Sequence, residues 1–170
     1  VVAPGERFAA GAIDVEVVND KHAVIHPDYP RPDNSGFLLD VGGTVSVQDT
    51  TMTKNRSERA GGGLETAAGT VDLAEVDMSD NSTGDIPGNG GALHLTGAAQ
   101  VTWNGGTVTG NDAAAQGGGL WNSETGLLVV IGVDVSGNTA PEGADVYNDG
   151  GIFLQDGLPV PPAGLGLPLG

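Results

Sequence analysis

Asp77 and Asp134 are the carboxylates whose spacing could do chemistry. Each sits in an alternating apolar segment, AEVDMS and IGVDVS, directly after one apolar residue and directly before another. Laid one over the other, these segments put both acids in one outward column with Thr51 and Thr107, two coil steps apart. Two steps of paired strands span about 10 Å, a little beyond the roughly 6.5–9.5 Å that inverting glycosidases leave for a water. A hydrolase or lyase would also need a base or cation beside them, and no Arg or Lys falls in register. Solvent-facing acids on an acidic chain account for the pair, and the chain is expected to be non-catalytic.

The other chemically capable residues lead to similar readings. His22 and His26 are four apart, but the intervening AVI reads as strand, where that spacing exceeds 13 Å or so. Neither these nor His94 shows metal-ligand spacing, and each is expected at the surface. Asp80 and Asp85 could help hold a Ca²⁺, since hard cations want clustered oxygens, yet glycine-aspartate nonapeptides are missing and no cofactor is expected. Thr51-x-Thr53 and Thr107-x-Thr109 would suit a regular hydroxyl lattice, but Asp77-x-Ser79 and Asp134-x-Ser136 interrupt it with charge. A column of Leu39, Glu65, His94, Trp121 and Tyr147 could offer aromatic platforms to a polysaccharide, but cross-coil stacking that protects a sheet face is the favoured reading.

What positions these residues is a repeat. QGGGLWNSETGLLVVIGVDVSGN, residues 116–138, opens on glycines and an apolar residue, runs through a strand and ends on apolar-x-x-Asn. The ending recurs as MTKN, MSDN, VTGN and VSGN, closing on Asn55, Asn81, Asn111 and Asn138, at intervals of 26, 30 and 27 residues. The openings recur on the same period as GGGL at 61–64, GGAL at 90–93 and GGGL at 117–120, with weaker versions at 36–38 and 143–146. Periods of this length mark stacked repeats. Alignment starts the first strand of each coil at Leu38, Leu64, Leu93, Leu120 and Val146. It puts Val45, Val71, Val101 and Leu128 in one inward column and Val47, Leu73, Trp103 and Val130 in the next, with Met52, Met78, Val108 and Val135 inward on a third strand.

The expected fold is therefore all-β, a right-handed parallel β-helix (β-solenoid) of about five coils with three short strands per coil. One coil cannot bury its own apolar face, whereas stacking coils about 4.8 Å apart buries a continuous core. Asn55, Asn81, Asn111 and Asn138 would stack at a turn as a ladder, each carboxamide both donating and accepting. The longer stretch between Asn81 and Gly90 is expected as a corner loop and the only break in register. Residues 1–35, with three prolines in HPDYPRP, are expected to cap the solenoid or form an irregular first coil; residues 36–155 form the repeats, and 156–170 a Pro-rich apolar tail.

Composition narrows function. Thirty glycines, ten prolines and seven aromatics suit short strands and tight turns. Twenty-two acids against six bases give a formal charge of −16, which argues against nucleic acid and anionic membranes as partners. There is no cysteine, and no apolar run is long enough for a spanning helix, so membrane insertion is not expected. The start at Val1 suggests a processed product or fragment.

The GGGL or GGAL openings with apolar-x-x-Asn endings resemble the right-handed parallel β-helix repeats of bacterial secreted and surface proteins. They are similar to the GGA(I/L)…FxxN repeats of polymorphic outer-membrane adhesins, with Met52, Met78, Val108 and Val135 standing where those have Phe. The resemblance covers about residues 36–155 and implies extracellular or cell-surface placement of the bacterial secreted type. The tail, LPVPPAGLGLPLG, is similar to the opening of Pro-rich sorting signals but lacks their apolar helix and basic cluster. Its Leu158, Val160, Leu165, Leu167 and Leu169 would need an apolar partner. The expected function is a structural subunit whose partners are copies of itself, joined head to tail into filaments or surface matrix, with the tail docking on a neighbour. The alternatives are a carbohydrate-binding or carbohydrate-cleaving β-helix and a passenger fragment of a surface adhesin.

Overall fold

A computed structural model describes residues 7–10, 13–19, 22–26 and 37–164, with side chains from residue 43 onward. It is all-β, a solenoid of about four turns of stacked parallel coils. Three short strands lead in: β1 (Arg7–Ala10), β2 (Ile13–Asn19) and β3 (His22–His26). The first coil is β4 (Phe37–Thr53), followed at its corner by β5 (Arg56–Ser57); the second is β6 (Leu64–Ser79), followed by β7 (Ser82–Thr83). The third coil contains β8 (Leu93–Leu95) and β9 (Gln100–Thr109), and the fourth β10 (Leu120–Asn122), β11 (Leu127–Ile131) and β12 (Asp134–Ser136). A last, incomplete coil contributes β13 (Val146–Asn148) and β14 (Ile152–Gln155), before β15 (Leu158–Pro159) turns back. That turn is why there are about four turns and not five: the last coil has no third strand.

The inward columns follow the alternation of the sequence. Val45, Val71, Val101, Leu128 and Phe153 are in register across the second strands, as are Val47, Leu73, Trp103 and Val130. All nine are buried in one cluster, which also takes in Leu64, Leu93 and Leu120 from the first strands and Met52, Met78 and Val108 from the third. Removing such a side chain from water contributes about 1.5–3 kcal/mol, so the core is continuous because the columns are.

Two registers differ from expectation. The first strand of the first coil aligns Phe37, not Leu38, with Leu64, because three consecutive apolar residues carry no alternation by which to choose a face. The longer corner after Asn81 does bulge, with Ile86 exposed, and it rejoins where Gly61 donates to the Asn89 carbonyl. It is not the only irregularity, since β4 also slips against β6 between Leu39 and Thr44.

Parallel stacking gives way to antiparallel pairing at both ends of the main sheet. β3 pairs parallel with β4, but β2 with β3 and β1 with β2 are antiparallel. At the other end β15 pairs antiparallel with β14, Val160 donates to the Phe153 carbonyl and Ala163 to that of Asn148. Val160 packs against the chain's own core. This part of the tail thus covers the last coil of its own solenoid, with Pro159, Pro161 and Pro162 withholding the N–H groups a further strand would need.

Candidate functional sites

The asparagine corner is the most completely bonded polar feature. Asn81 Oδ1 accepts from both the backbone N–H and Nδ2 of Asn55, at 3.0 and 2.9 Å. Asn111 Oδ1 accepts the same pair from Asn81, both at 2.9 Å, and Asn138 Oδ1 the same pair from Asn111, at 3.0 and 2.9 Å. Each Nδ2 also donates backwards, from Asn81 to the Met52 carbonyl, from Asn111 to Met78 and from Asn138 to Val108. One carboxamide per coil therefore satisfies a buried backbone N–H and a buried carbonyl that the sharp corner removes from the strand ladder.

The ladder ends on a residue that periodicity alone does not reveal. Asp145 Oδ1 accepts from the N–H and Nδ2 of Asn138, both at 3.0 Å, standing in for the asparagine of an absent next coil. The signal was available. Asp145 immediately precedes Val146, where Gly63, Ala92 and Gly119 precede Leu64, Leu93 and Leu120. A Cβ on Gly119 would come within 3.0 Å of Asn138 Nδ2, so a small residue is needed wherever the next asparagine is present. Where none follows, a carboxylate fits. A second, shorter pair escaped the sequence reading too: Asn122 Nδ2 donates to Asn148 Oδ1 at 3.0 Å, and Asn148 Nδ2 to the Val160 carbonyl at 2.8 Å. It ties the tail to the first strands, while Asn122 Oδ1 is buried without a hydrogen-bond partner.

The proposed aromatic column is real in register but begins at Leu38, not Leu39, and runs through Glu65, His94, Trp121 and Tyr147. His94 is not at the surface: it is 3% exposed, and its ring stacks on Trp121 with centroids 4.5 Å apart. Its Nδ1 lies 3.1 Å from Glu65 Oε1, to which Arg59 Nη2 donates at 2.6 Å. Trp121 is buried as well, its Nε1 donating to Gln116 Oε1 at 3.3 Å, while Gln116 Nε2 donates to Glu142. Arg59 and Gln116 reach over this column from the corner segments, so an outward face is nonetheless covered and Trp121 offers no open platform. Burial pushes the Glu65 carboxyl up, but the bonds from His94 and Arg59 and their charges outweigh it and hold the group below the usual carboxylate range. The hydrogen bond and charge of Glu65 in turn raise Arg59.

Thr51, Asp77, Thr107 and Asp134 do form one row on the third strands. Thr107 stands between the acids and donates to Asp77 Oδ1 at 2.8 Å; Ser79 donates to Thr53 Oγ1 at 3.1 Å in the adjacent row. The two acids are thus separated by a hydroxyl that engages one of them. Asp80 and Asp85 are exposed, and among the described residues no three His, Cys, Asp or Glu side chains are grouped to hold a metal ion. His22 and His26 lie in β3, opposite Thr44 and Asp14 respectively. Of the tail residues, Leu158 is 71% exposed, Val160 is spent on the chain's own core, and Leu165, Leu167 and Leu169 lie outside the described residues.

No protein-family model, curated protein or solved structure matches the chain.

Proposed function

We propose that this chain is a non-catalytic structural β-solenoid of a bacterial-type secreted or surface protein, a rigid unit that associates with copies of itself. The observation that carries the reading is how its repeated polar groups are used. The asparagines of four coils and Asp145 bond to one another and to backbone, and Asp77 is bonded to Thr107. The polar columns favour rigidity along the stack. The GGAL and apolar-x-x-Asn repeats, similar to those of polymorphic outer-membrane adhesins, support the extracellular placement.

The mode of assembly that the geometry favours differs from head-to-tail stacking. Antiparallel strands at both ends of the main sheet interrupt parallel continuation there, and the tail covers its own last coil. Lateral contact between solenoids is the better reading. Electron microscopy of the purified chain over a concentration series tests it: side-by-side pairs or sheets are expected, long single-file fibres would return the assembly to end-to-end stacking, and dispersed monomers at every concentration would sink the self-association reading.

A further inference from the structure

The outward face of the second strands changes character along the stack. In the second and third coils its three columns are Thr70 and Gln100, Asp72 and Thr102, and Ala74 and Asn104. In the fourth coil the same columns hold Leu127, Val129 and Ile131, and in the last Ile152 and Leu154, with Pro159 of β15 beside Leu154. These residues face away from the core side chains Leu128, Val130 and Phe153. Ile131 is 47% exposed and Ile152 61%, while Leu127, Val129 and Leu154 are half-buried by their neighbours. Five aliphatic side chains on adjacent strands of an acidic chain, with Pro159 beside them, make a contiguous patch, of a kind that soluble monomers tend to reserve for contact.

We infer that this patch, on β11 and β14, is where a second copy of the chain docks, face to face about a two-fold axis. The inference rests on the self-association proposed above and names the surface responsible. Charge selects the occupant. With 22 acids and six bases, two copies repel over most orientations, yet the outward residues of β9, β11 and β14 include no ionisable group. Beside the patch stand Gln100, Thr102 and Asn104, whose amides and hydroxyl both donate and accept and so can pair with their own equivalents. Asp72 lies one strand beyond that rim and Asp156 just past β14, so these three strands are the neutral ground over which a like-charged copy meets least repulsion. A two-fold contact asks a surface to complement itself, and a neutral aliphatic centre with an amide and hydroxyl rim does so. Such sheets pack about 10 Å apart with their strands near alignment. A standard interface covers about 800 Å² on each partner, so the patch forms its centre and the rim on β9 the remainder. The contact is therefore concentration-dependent and not obligate.

Sedimentation equilibrium of the full chain, at rising protein concentration in low and high NaCl, tests this. A reversible monomer–dimer equilibrium is expected, tighter in high salt because screening weakens the repulsion between two −16 bodies. The triple variant Val129→Thr, Ile131→Thr, Ile152→Thr keeps β-branched residues at each site and is expected to weaken the dimer at least tenfold, while at concentrations below dimerisation its monomer unfolds near the parent midpoint. Ile152→Asp alone, at the most exposed position of the patch, should do the same, whereas Ser136→Asp on the third strands should leave the dimer intact. Association that the patch variants retain undiminished would overturn the patch while leaving self-association standing. A monomer under every condition would overturn both. Binding that weakens with salt would point to an ionic contact and overturn the docking of a like-charged copy.

Discussion

The asparagine corner and the outer face of β11 and β14 are built from the same repeat and used in opposite ways. At the corner the residue type is constant from coil to coil, and each copy finds its partner in the next; Asn55, Asn81, Asn111 and Asn138 form a closed chain that Asp145 terminates. On the outer face the type changes along the column, from Thr70 through Gln100 to Leu127 and Ile152. In a solenoid a constant column holds coils together, because neighbours in space are equivalents in sequence. A column that changes type is free of that duty and can serve an external contact.

The strongest way to break the comparison is at the corner. Asn111→Ala removes the acceptor for the buried Asn81 N–H and Nδ2 and the donor to the Met78 carbonyl and Asn138. Leaving several buried groups unpaired costs about 1–3 kcal/mol each, so a loss of roughly 3–5 kcal/mol is expected in urea unfolding. A change under about 1 kcal/mol would mean the ladder is ornamental. By contrast, Val129→Thr on the open face should alter stability by about 1 kcal/mol or less.

Acid titration sharpens the contrast from the covered column. The folded-state carboxyl of Glu65 is held below its unfolded value of 4.5. Its contribution is therefore present above about pH 4.5 and is lost as pH falls through the lower folded value. Urea midpoints measured downwards from neutral pH should fall across that window, and Glu65→Gln should flatten the fall while lowering stability at neutral pH. An identical acid limb in the variant would assign acid sensitivity to other groups.

The smallest effect is in the corner backbone. Lys54 and Asp80 hold left-handed φ values of 57° and 55° where Gly110 and Gly137 hold 66° in the later coils. A residue with a side chain is disfavoured there, so Lys54→Gly should stabilise by about 0.5–1 kcal/mol, and Gly137→Ala should destabilise by about 1 kcal/mol although nothing lies within 4 Å of its new Cβ.

Much of this was legible in the sequence wherever alternation and period agreed. The Val45, Val47 and Met52 columns and the four asparagine positions could all be aligned from spacing. Alternation failed at Phe37–Leu39, three apolar residues in succession, and the register there came out one residue off. It also failed at His94 and Trp121, because a period-2 pattern marks the face turned from the core but not what covers it; Arg59 and Gln116 do so from the corner segments just before Glu65 and Trp121, which lie outside any alternation. The ladder terminator was hidden for the opposite reason. Asp145 breaks the small-residue pattern, and a broken pattern reads as noise until the missing next coil explains it. The fate of Val160 was similarly hidden, since an apolar Pro-rich tail has the same composition whether it covers its own solenoid or a neighbour's.

Amide hydrogen exchange, resolved by residue, tests the central claim that a side-chain ladder closes the corner. The N–H groups of Asn55, Asn81, Asn111 and Asn138 each donate to a side-chain oxygen of the ladder, and they should be protected like those of the core strands, with Asn138 losing protection in Asp145→Ala. Exchange of these four at the rate of exposed turn amides would contradict the account.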